Sequence, residues 1–352
     1  MIITFLVPST KRAIGGVMSL YEFANGMSRR GHTVRLLHLP VADGHIVELA
    51  DIAWFEFEPG VEHELVRSLS DLRLPDADFV ELTALKSFPD AWPAGMVDAG
   101  FSRSAGVPFL FVQAYNYLPR HIEEVMFRAP GPKICIAHWM VDALTGEGVP
   151  SGQVSYLPYG LDHDAYRLVQ PIANRPLQVT MLYNSHPVKG ARFGIAAIEE
   201  AQRRLPEMRA VVFSNKEPDT AIPEGISFVI SPSRQHLVEE IYNRSRVFIC
   251  SSIREGFGFS AIEAMAGGCA LVTTDNGGSD DYAVRGENAL VCAPRDVEGM
   301  ADRIERLMRE DDLCARLATN GCEFVKRFDW DESARRLEAF LESYGREPAR
   351  FS

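Results

Sequence analysis

The side chains best suited to chemistry lie in one stretch, RVFICSSIREGFGFSAIEAMAGGCALVTTDNGG, residues 246–278. It reads as apolar strand, glycine-bearing loop, helix, apolar strand and a second glycine-bearing loop. Glu255 falls in the first loop and Glu263 one or two turns into the helix. A spacing of eight residues across a loop–helix junction lets both carboxylates face one cavity. Two carboxylates so placed suit a neutral polyol, because each accepts hydroxyl hydrogen bonds at two oxygens. Gly256 and Gly258 let backbone N–H groups at the helix start approach a ligand closely. Two glutamates at this spacing arise by chance in any acidic chain. The apolar run before them and the glycines between them favour a site.

Other candidates are weaker. His138 ends the apolar run KICIAH (133–138), and a lone histidine there reads first as a satisfied structural residue. The aromatic pieces WFEF (54–57) and YNYLP (115–119) fit an acceptor groove or core packing equally well. The run EHE (62–64) lacks a third ligand, so no metal is expected. Cys135, Cys250, Cys269, Cys292, Cys314 and Cys322 form no C-x-x-C pair, and several sit in apolar runs. They read as small core residues in a reducing, cytoplasmic compartment rather than as disulfides or zinc ligands.

The elements that must position these residues alternate between apolar runs and amphipathic stretches, the pattern of an α/β protein with parallel sheets. IITFLVP (2–8), the loop STKRAIGG, a helix from Val17 to about Arg30, Gly31 as C-cap and TVRLLHL (33–39) make one β–loop–α–β unit. The acid-rich segment 40–75 is expected to hold a helix near 61–71. ADFVEL (77–82), PFLFVQA (108–114) and KICIAH follow as strands. Pro171, Asn174 and Pro176 place a domain boundary, giving domains at 1–170 and 171–329.

The second half restarts with LQVTMLY (177–183), the loop NSHPVKG and a helix over 191–204. Strands over 209–215, 226–231, 246–252, 270–275 and 289–294 alternate with helices near 234–244 and 259–267. In 330–352, Ala334, Leu337, Phe340, Leu341 and Tyr344 recur at three or four residues. That stripe predicts a helix that returns to bury itself on the first domain.

Composition bounds the function. The chain has 352 residues, 46% hydrophobic and 24% charged, with no apolar run near the ~18 residues that cross a bilayer. MIITFLVP has neither the basic start nor the apolar length of a secretory signal, and reads as a strand. Residues 1–170 carry 20 acidic and 13 basic side chains and the remainder 28 and 23, for a net charge of −12. A general nucleic-acid binder needs a basic footprint that neither half has. A small basic helix face would still allow peripheral contact with anionic lipid at the inner membrane face.

The segment EGFGFSAIEAMAGGCALVTTDNGG, with its preceding strand, resembles the E-x7-E donor site of family 4 glycosyltransferases, retaining enzymes of the GT-B fold. Coarser similarity covers most of the chain. GGVMSLYEFANGMSRRGHTVRLL resembles the opening Gly-Gly loop and helix, VSYLPYGLDHDAYRL the end of the first domain, HPVKG a loop of the second, and FDWDESARRLEAFLESY the terminal crossover helix. Residues 72–150 resemble the family only weakly.

The resemblance implies two Rossmann-like domains facing across a cleft, and hexosyl transfer from a nucleotide diphosphate sugar to a hydroxyl of a sugar-bearing or lipid-linked acceptor, with no cofactor or metal. It implies Glu263 on the ribose, Glu255 on the donor sugar with N–H groups of Gly256, Phe257 and Gly258, and Lys189 on the diphosphate, helped by Gly15 and Gly16. The alternatives are a GT-B sugar-nucleotide epimerase and a non-catalytic homologue that binds a nucleotide sugar. The family usually has an arginine five residues before the lysine, and here Asn184 stands there, with Arg254 and Lys11 as substitutes. Glu81, Leu82 and Thr83 stand where many members have a histidine. FVQAYNYLP resembles the Q-[acid]-Y-[acid] segment of members acting on deoxyhexoses such as rhamnose, with Ala114 and Asn116 replacing the acids. Gln113, Asn116 and His138 are the acceptor-side candidates.

Overall fold

A computed structural model of the chain describes residues 1–8, 10–11, 13–40, 46–68, 72, 74–83, 106–115, 120–129 and 131–346. The apolar runs of the first half become parallel strands: β1 (Ile2–Pro8), β2 (Thr33–Leu39), β3 (Val61–Leu65), β4 (Phe79–Glu81), β5 (Val107–Val112), β6 (Lys133–Cys135) and β7 (Val154–Tyr156). Their order in the sheet is β3-β2-β1-β4-β5-β6-β7. Helices α1 (Gly15–Arg29), α2 (Arg120–Arg128) and α3 (His138–Gly146) join or flank them. Gly31, at φ 85°, ends α1 in a conformation that costs other residues more than glycine.

A second parallel sheet has the order β10-β9-β8-β11-β12-β13. Its strands are β8 (Gln178–Leu182), β9 (Arg209–Ser214), β10 (Ile226–Ile230), β11 (Val247–Cys250), β12 (Ala270–Thr274) and β13 (Ala289–Cys292). The helices around it are α4 (Ala191–Arg204), a segment over 234–244 with a π-helical middle at Leu237–Ile241, α5 (Phe259–Ala266), α6 (Val297–Arg309) and α7 (Asp311–Val325). Val179, Val212, Val247, Ile249 and Val272 from the strands meet Ile198, Ile304, Leu307 and Leu317 from the helices in a solvent-free core. Both sheets are doubly wound: the order reverses at β1/β4 and at β8/β11, and ligands of such sheets bind beyond the strands' carboxyl ends at the reversal.

The chain divides into two units, Met1–Gly160 with Trp330–Ser352, and Leu161–Asp329. The division falls before the boundary expected at 170/171. Residues 167–175 are fastened to the second unit: Asn243 Oδ1 accepts the N–H groups of Val169 and Gln170 at 2.6 and 3.0 Å, and the buried Arg175 donates to the carbonyls of Tyr242, Ser245 and Gly267. The prolines therefore punctuate a loop within the unit, not a linker. The helix α8 (Trp330–Arg346) belongs to the first unit.

One element differs in kind from expectation. Residues 61–65 form an edge strand, not the start of a helix over 61–71. Val61 is buried and the glutamates of VEHEL point outward, with Glu62 opposite Arg35 on β2 and 2.9 Å from its Nε. Cross-strand charge pairs of this kind favour the strand register.

The six cysteines are free thiols, five of them buried. No helix among the described residues is long and apolar enough to cross a membrane.

Trp54, Phe55 and Phe57 of the WFEF piece gather around Tyr21, and Phe57 also meets His38 and His63. His38 is fully buried, 3.1 Å from His63, and burial drives its pKa down to about 3. Because the unfolded chain takes up a proton near pH 6.5 and the folded chain does not, stability is retained above pH 6.5 and falls as the pH drops toward 3. The expected loss for this residue between pH 7 and pH 5 is about 2 kcal/mol. All four tryptophans fall in the first unit's residue range, so their fluorescence follows its urea transition. His38→Leu should flatten the acid slope of that midpoint; an unchanged slope would remove His38 as its source.

Candidate active site

The reversal between β8 and β11 in the second unit brings two loops side by side. The loop after β8 ends in a short turn, Pro187–Lys189, closed by Gly190 at φ 62°. A Cβ on Gly190 would stand 2.2 Å from the Ser251 carbonyl oxygen, so only glycine allows the two backbones this close. The N–H of Ile253 donates to the Val188 carbonyl at 2.7 Å and ties the loops together. This places Lys189 Nζ 2.5 Å from Glu255 Oε1, while Ser252 Oγ donates to Glu255 Oε2 at 2.8 Å. Both side chains are less than a third exposed.

A third loop, after β12, supports the second. Glu255 bridges to Gly277, and its N–H donates to the Asn276 carbonyl at 3.0 Å. Asn276 is itself locked, accepting the Ser279 N–H at 2.9 Å and donating to Thr273 Oγ1 at 3.3 Å. A Cβ on Gly278 would stand 2.3 Å from the Gly256 carbonyl oxygen. Gly258, at φ 89°, caps α5 against Tyr282, whose hydroxyl is 2.7 Å from where a Cβ would be. Gly278 is thus required by backbone packing, and Gly258 by its positive φ and the Tyr282 ring.

Helix α5 carries no acidic residue in its first turn, so its positive end is available to an anion. Phe257 faces inward, with its ring edge-to-face on Phe259 and Phe328. Its contribution to a site is therefore through its backbone. Glu263, on α5, receives the Tyr242 hydroxyl at Oε2, 2.9 Å away. Burial raises its carboxyl pKa, while hydrogen bonds from Tyr242 and Tyr166 and the nearby Arg234 pull it back. The carboxylate keeps lone pairs for a diol beyond the tyrosines.

Residues 220–324 match the family model described as Glycosyl transferases group 1. The matched residues lie within the second unit. The matched span includes the Glu255 loop and Glu263 on α5, and ends before α8. The capsular polysaccharide biosynthesis glycosyltransferase CapM of Staphylococcus aureus is 29% identical over 141 residues, 38% of this chain and 35% of CapM. The chain spans about a third or less of the length of the curated relatives it matches.

Solved structures match over nearly the full chain. The sucrose-phosphate synthase of Thermosynechococcus elongatus has a TM-score of 0.78 at 14% identity, over 97% of this chain and 98% of that one. HepE of Anabaena in complex with UDP-glucose has a TM-score of 0.75 at 17% identity, over 97% and 100%. At such identities the likeness concerns the fold, which is GT-B.

Outside residues 220–324, the other candidates separate. Lys189 precedes the matched residues but is bound to them through Glu255. Asn184 accepts the His186 N–H at 2.9 Å and shapes the loop. Lys11 pairs with Asp51 at 2.8 Å in the first unit. Gly15 and Gly16 open α1, and Gln113 Nε2 donates to the Gly16 carbonyl at 2.9 Å. A Cβ on Gly16 would stand 2.8 Å from Gln113 Oε1, so these residues are built as a pair.

His138 does not end a strand. Strand β6 stops at Cys135, and His138 is the exposed first residue of α3, stacked on Tyr156. Asn116 lies outside the described residues, as do 117–119 of YNYLP. Tyr115 stacks on Phe127 and donates its hydroxyl to Glu147 at 2.5 Å.

Tyr242, Tyr166 and Ser252 escaped the sequence reading. Ser252 is three residues from its partner and sits in the motif. Tyr242 is 21 residues from Glu263, and no local pattern links them.

Proposed function

We propose that the chain transfers a hexosyl group from a nucleotide diphosphate sugar to a hydroxyl acceptor, with retained anomeric configuration and without a metal. The observation that carries this reading is the Lys189–Glu255 contact at the β8/β11 reversal, with Glu263 on the helix that follows. In this reading Glu263 accepts the ribose hydroxyls and Glu255 accepts hydroxyls of the donor sugar. Lys189 carries three donors, and an ammonium can meet phosphate oxygens as well as Glu255. The diphosphate gains negative charge as the glycosidic bond breaks, and a pre-placed ammonium stabilises that change. The leaving phosphate takes the acceptor's proton in a front-side attack, which retains configuration without a carboxylate nucleophile.

The second unit holds the donor, with a UDP-hexose the first to try because HepE was solved with UDP-glucose. The acceptor, a sugar-bearing or lipid-linked hydroxyl at the inner membrane face, is assigned to the first unit, with Gln113 and His138 as its candidates. CapM's role in capsular polysaccharide supports a glycan acceptor.

The test is binding first and turnover second. In a thermal-shift panel of UDP, GDP, ADP and dTDP, one nucleotide should raise the transition temperature, since a ligand of the folded state stabilises it. Glu263→Gln should weaken that nucleotide by roughly 1–3 kcal/mol in calorimetry, for charged hydrogen bonds lost. Unchanged affinity would remove Glu263 from the ribose. With a radiolabelled donor, label must pass to an acceptor. A sugar changed without any acceptor would identify an epimerase, and binding without conversion a non-catalytic homologue.

A further inference from the structure

The outer strand β13 and helix α6 enclose, with the turn at Gly286, a recess of about 350 Å³ that shares no residue with the loops described above. Leu290 and Val291 provide apolar wall, and Arg285, Arg303 and Arg306 surround it. Three guanidiniums around one recess stand out in a chain of net charge −12.

Their partners show how the charge is left. The Val291 carbonyl accepts from Arg303 Nε at 3.1 Å and from Arg285 Nη1 at 3.4 Å, so two guanidiniums meet on one neutral oxygen. A fourth, Arg316, donates to the Gly286 carbonyl at 3.1 Å. Two of the three guanidiniums already have a carboxylate on one side. Asp275 is 2.7 Å from Arg285 Nη2, Glu310 is 3.0 Å from Arg306 Nε, and Asp302 is 2.6 Å from Arg204 Nη1. Asp296 is held as the cap of α6 by the Gly299 N–H. Arg303 bonds only to carbonyls, those of Val291 and Gly299, with no carboxylate partner among the described residues.

Arg303 thus stands without a counter-charge beside two guanidiniums that are each paired on one side only, and an anion in the recess would offset its charge. A guanidinium fork presents parallel N–H donors matched to the oxygens of a phosphate. Asp302 on the wall opposes an anion, but its carboxylate is taken up by Arg204.

We propose that this recess is a second anion site of the donor-binding unit, which binds a phosphate group through Arg303, Arg285 and Arg306. The phosphate is either inorganic or that of a small monoester, with Leu290 and Val291 available to the organic part. The site is independent of the Lys189 loop and so stands whether or not the transfer reaction does.

Inorganic phosphate titrated into the full chain, against sodium chloride of equal ionic strength, should give saturable broadening of its phosphorus NMR signal and a rise in transition temperature. Arg303→Gln should weaken the response about tenfold, and Arg303→Lys less, because it keeps the charge and loses the fork. Arg306→Gln removes only an exposed pair with Glu310 and decides the matter if the Arg303 variants fold poorly. Lys189→Gln removes any phosphate response of the donor loop, and a saturable response sensitive to Arg303→Gln should remain. Glucose 6-phosphate separates the sources: tighter binding than phosphate identifies a monoester, equal or weaker binding free phosphate. A response no larger than that of chloride, one unchanged in both Arg303→Gln and Arg306→Gln, or one lost in Lys189→Gln would overturn the proposal.

Discussion

Lys189→Met is expected to lower kcat about 100- to 1,000-fold while changing KM little. That is the usual cost of removing one donor aimed at charge that develops in the transition state. The Lys189 turn is fixed to the Glu255 loop by Gly190 and by the Ile253 N–H, and Lys189 meets Glu255 at 2.5 Å. An ammonium held before the reaction pays no ordering cost as charge grows on the leaving diphosphate, so its value appears in turnover.

The variant leaves Glu255 with Ser252 on one oxygen and a lost cation on the other, so part of the effect could come from a displaced carboxylate. The double variant with Glu255→Gln controls for that. If Lys189 acts on the phosphate, its loss adds to that of Glu255→Gln and the double variant is slower than either single one. If it only holds Glu255, the double variant is no slower than Glu255→Gln alone. A loss confined to KM would make the lysine an anchor of the bound donor. EDTA should leave wild-type turnover intact; a collapse rescued by magnesium or manganese would overturn the metal-free reading.

The sequence carried the site's loops better than its walls. Strand VFIC, glycine loop, helix and ALVTT were legible because fully buried parallel strands read as unbroken apolar runs and their loops as glycine. The edge strand VEHEL was missed because its glutamates suggested a charged helix. The signal was present as alternation of period two, with Arg35 opposite Glu62 to pair with it. KICIAH reads as a strand up to His138 because ICIA is apolar, whereas the sheet ladder stops at Cys135. Tyr242 could not be seen at all. It reaches Glu263 because Arg175 and Asn243 hold the end of the 234–244 segment by carbonyl and amide bonds, a tertiary arrangement with no trace in local spacing.

Truncation after Asp329 is expected to abolish the cooperative unfolding of the first unit while the second still melts as one. Helix α8 follows the whole second unit in sequence yet packs in the first, chiefly on α1. The contact is close: a Cβ on Gly26 would stand 2.6 Å from Ala334 Cβ, so the helices touch nearly backbone to backbone. Leu337 and Leu341 are fully buried, and Trp330 sets its ring edge-on against Phe23, 5.5 Å between centroids. A Cβ on Gly160 would stand 2.3 Å from the Trp330 nitrogen, and Ser333 donates to the Pro158 carbonyl at 2.9 Å.

Charged groups add less. Glu338 meets Arg30 and His32, and Asp331 meets Arg29, but exposed pairs contribute under about 1 kcal/mol each. The apolar stripe decides the outcome, because each large side chain contributes roughly 1.5–3 kcal/mol against a total near 5–15. Leu337→Ala is the milder form, expected to cost about 2–5 kcal/mol. Since the tryptophans lie in the first unit's range, their urea transition should shift in Leu337→Ala, while amide exchange at β8, β11 and β12 stays as in the wild type. Equal loosening of both units, or of the second alone, would show that α8 stabilises the molecule by some other route than its seat on α1.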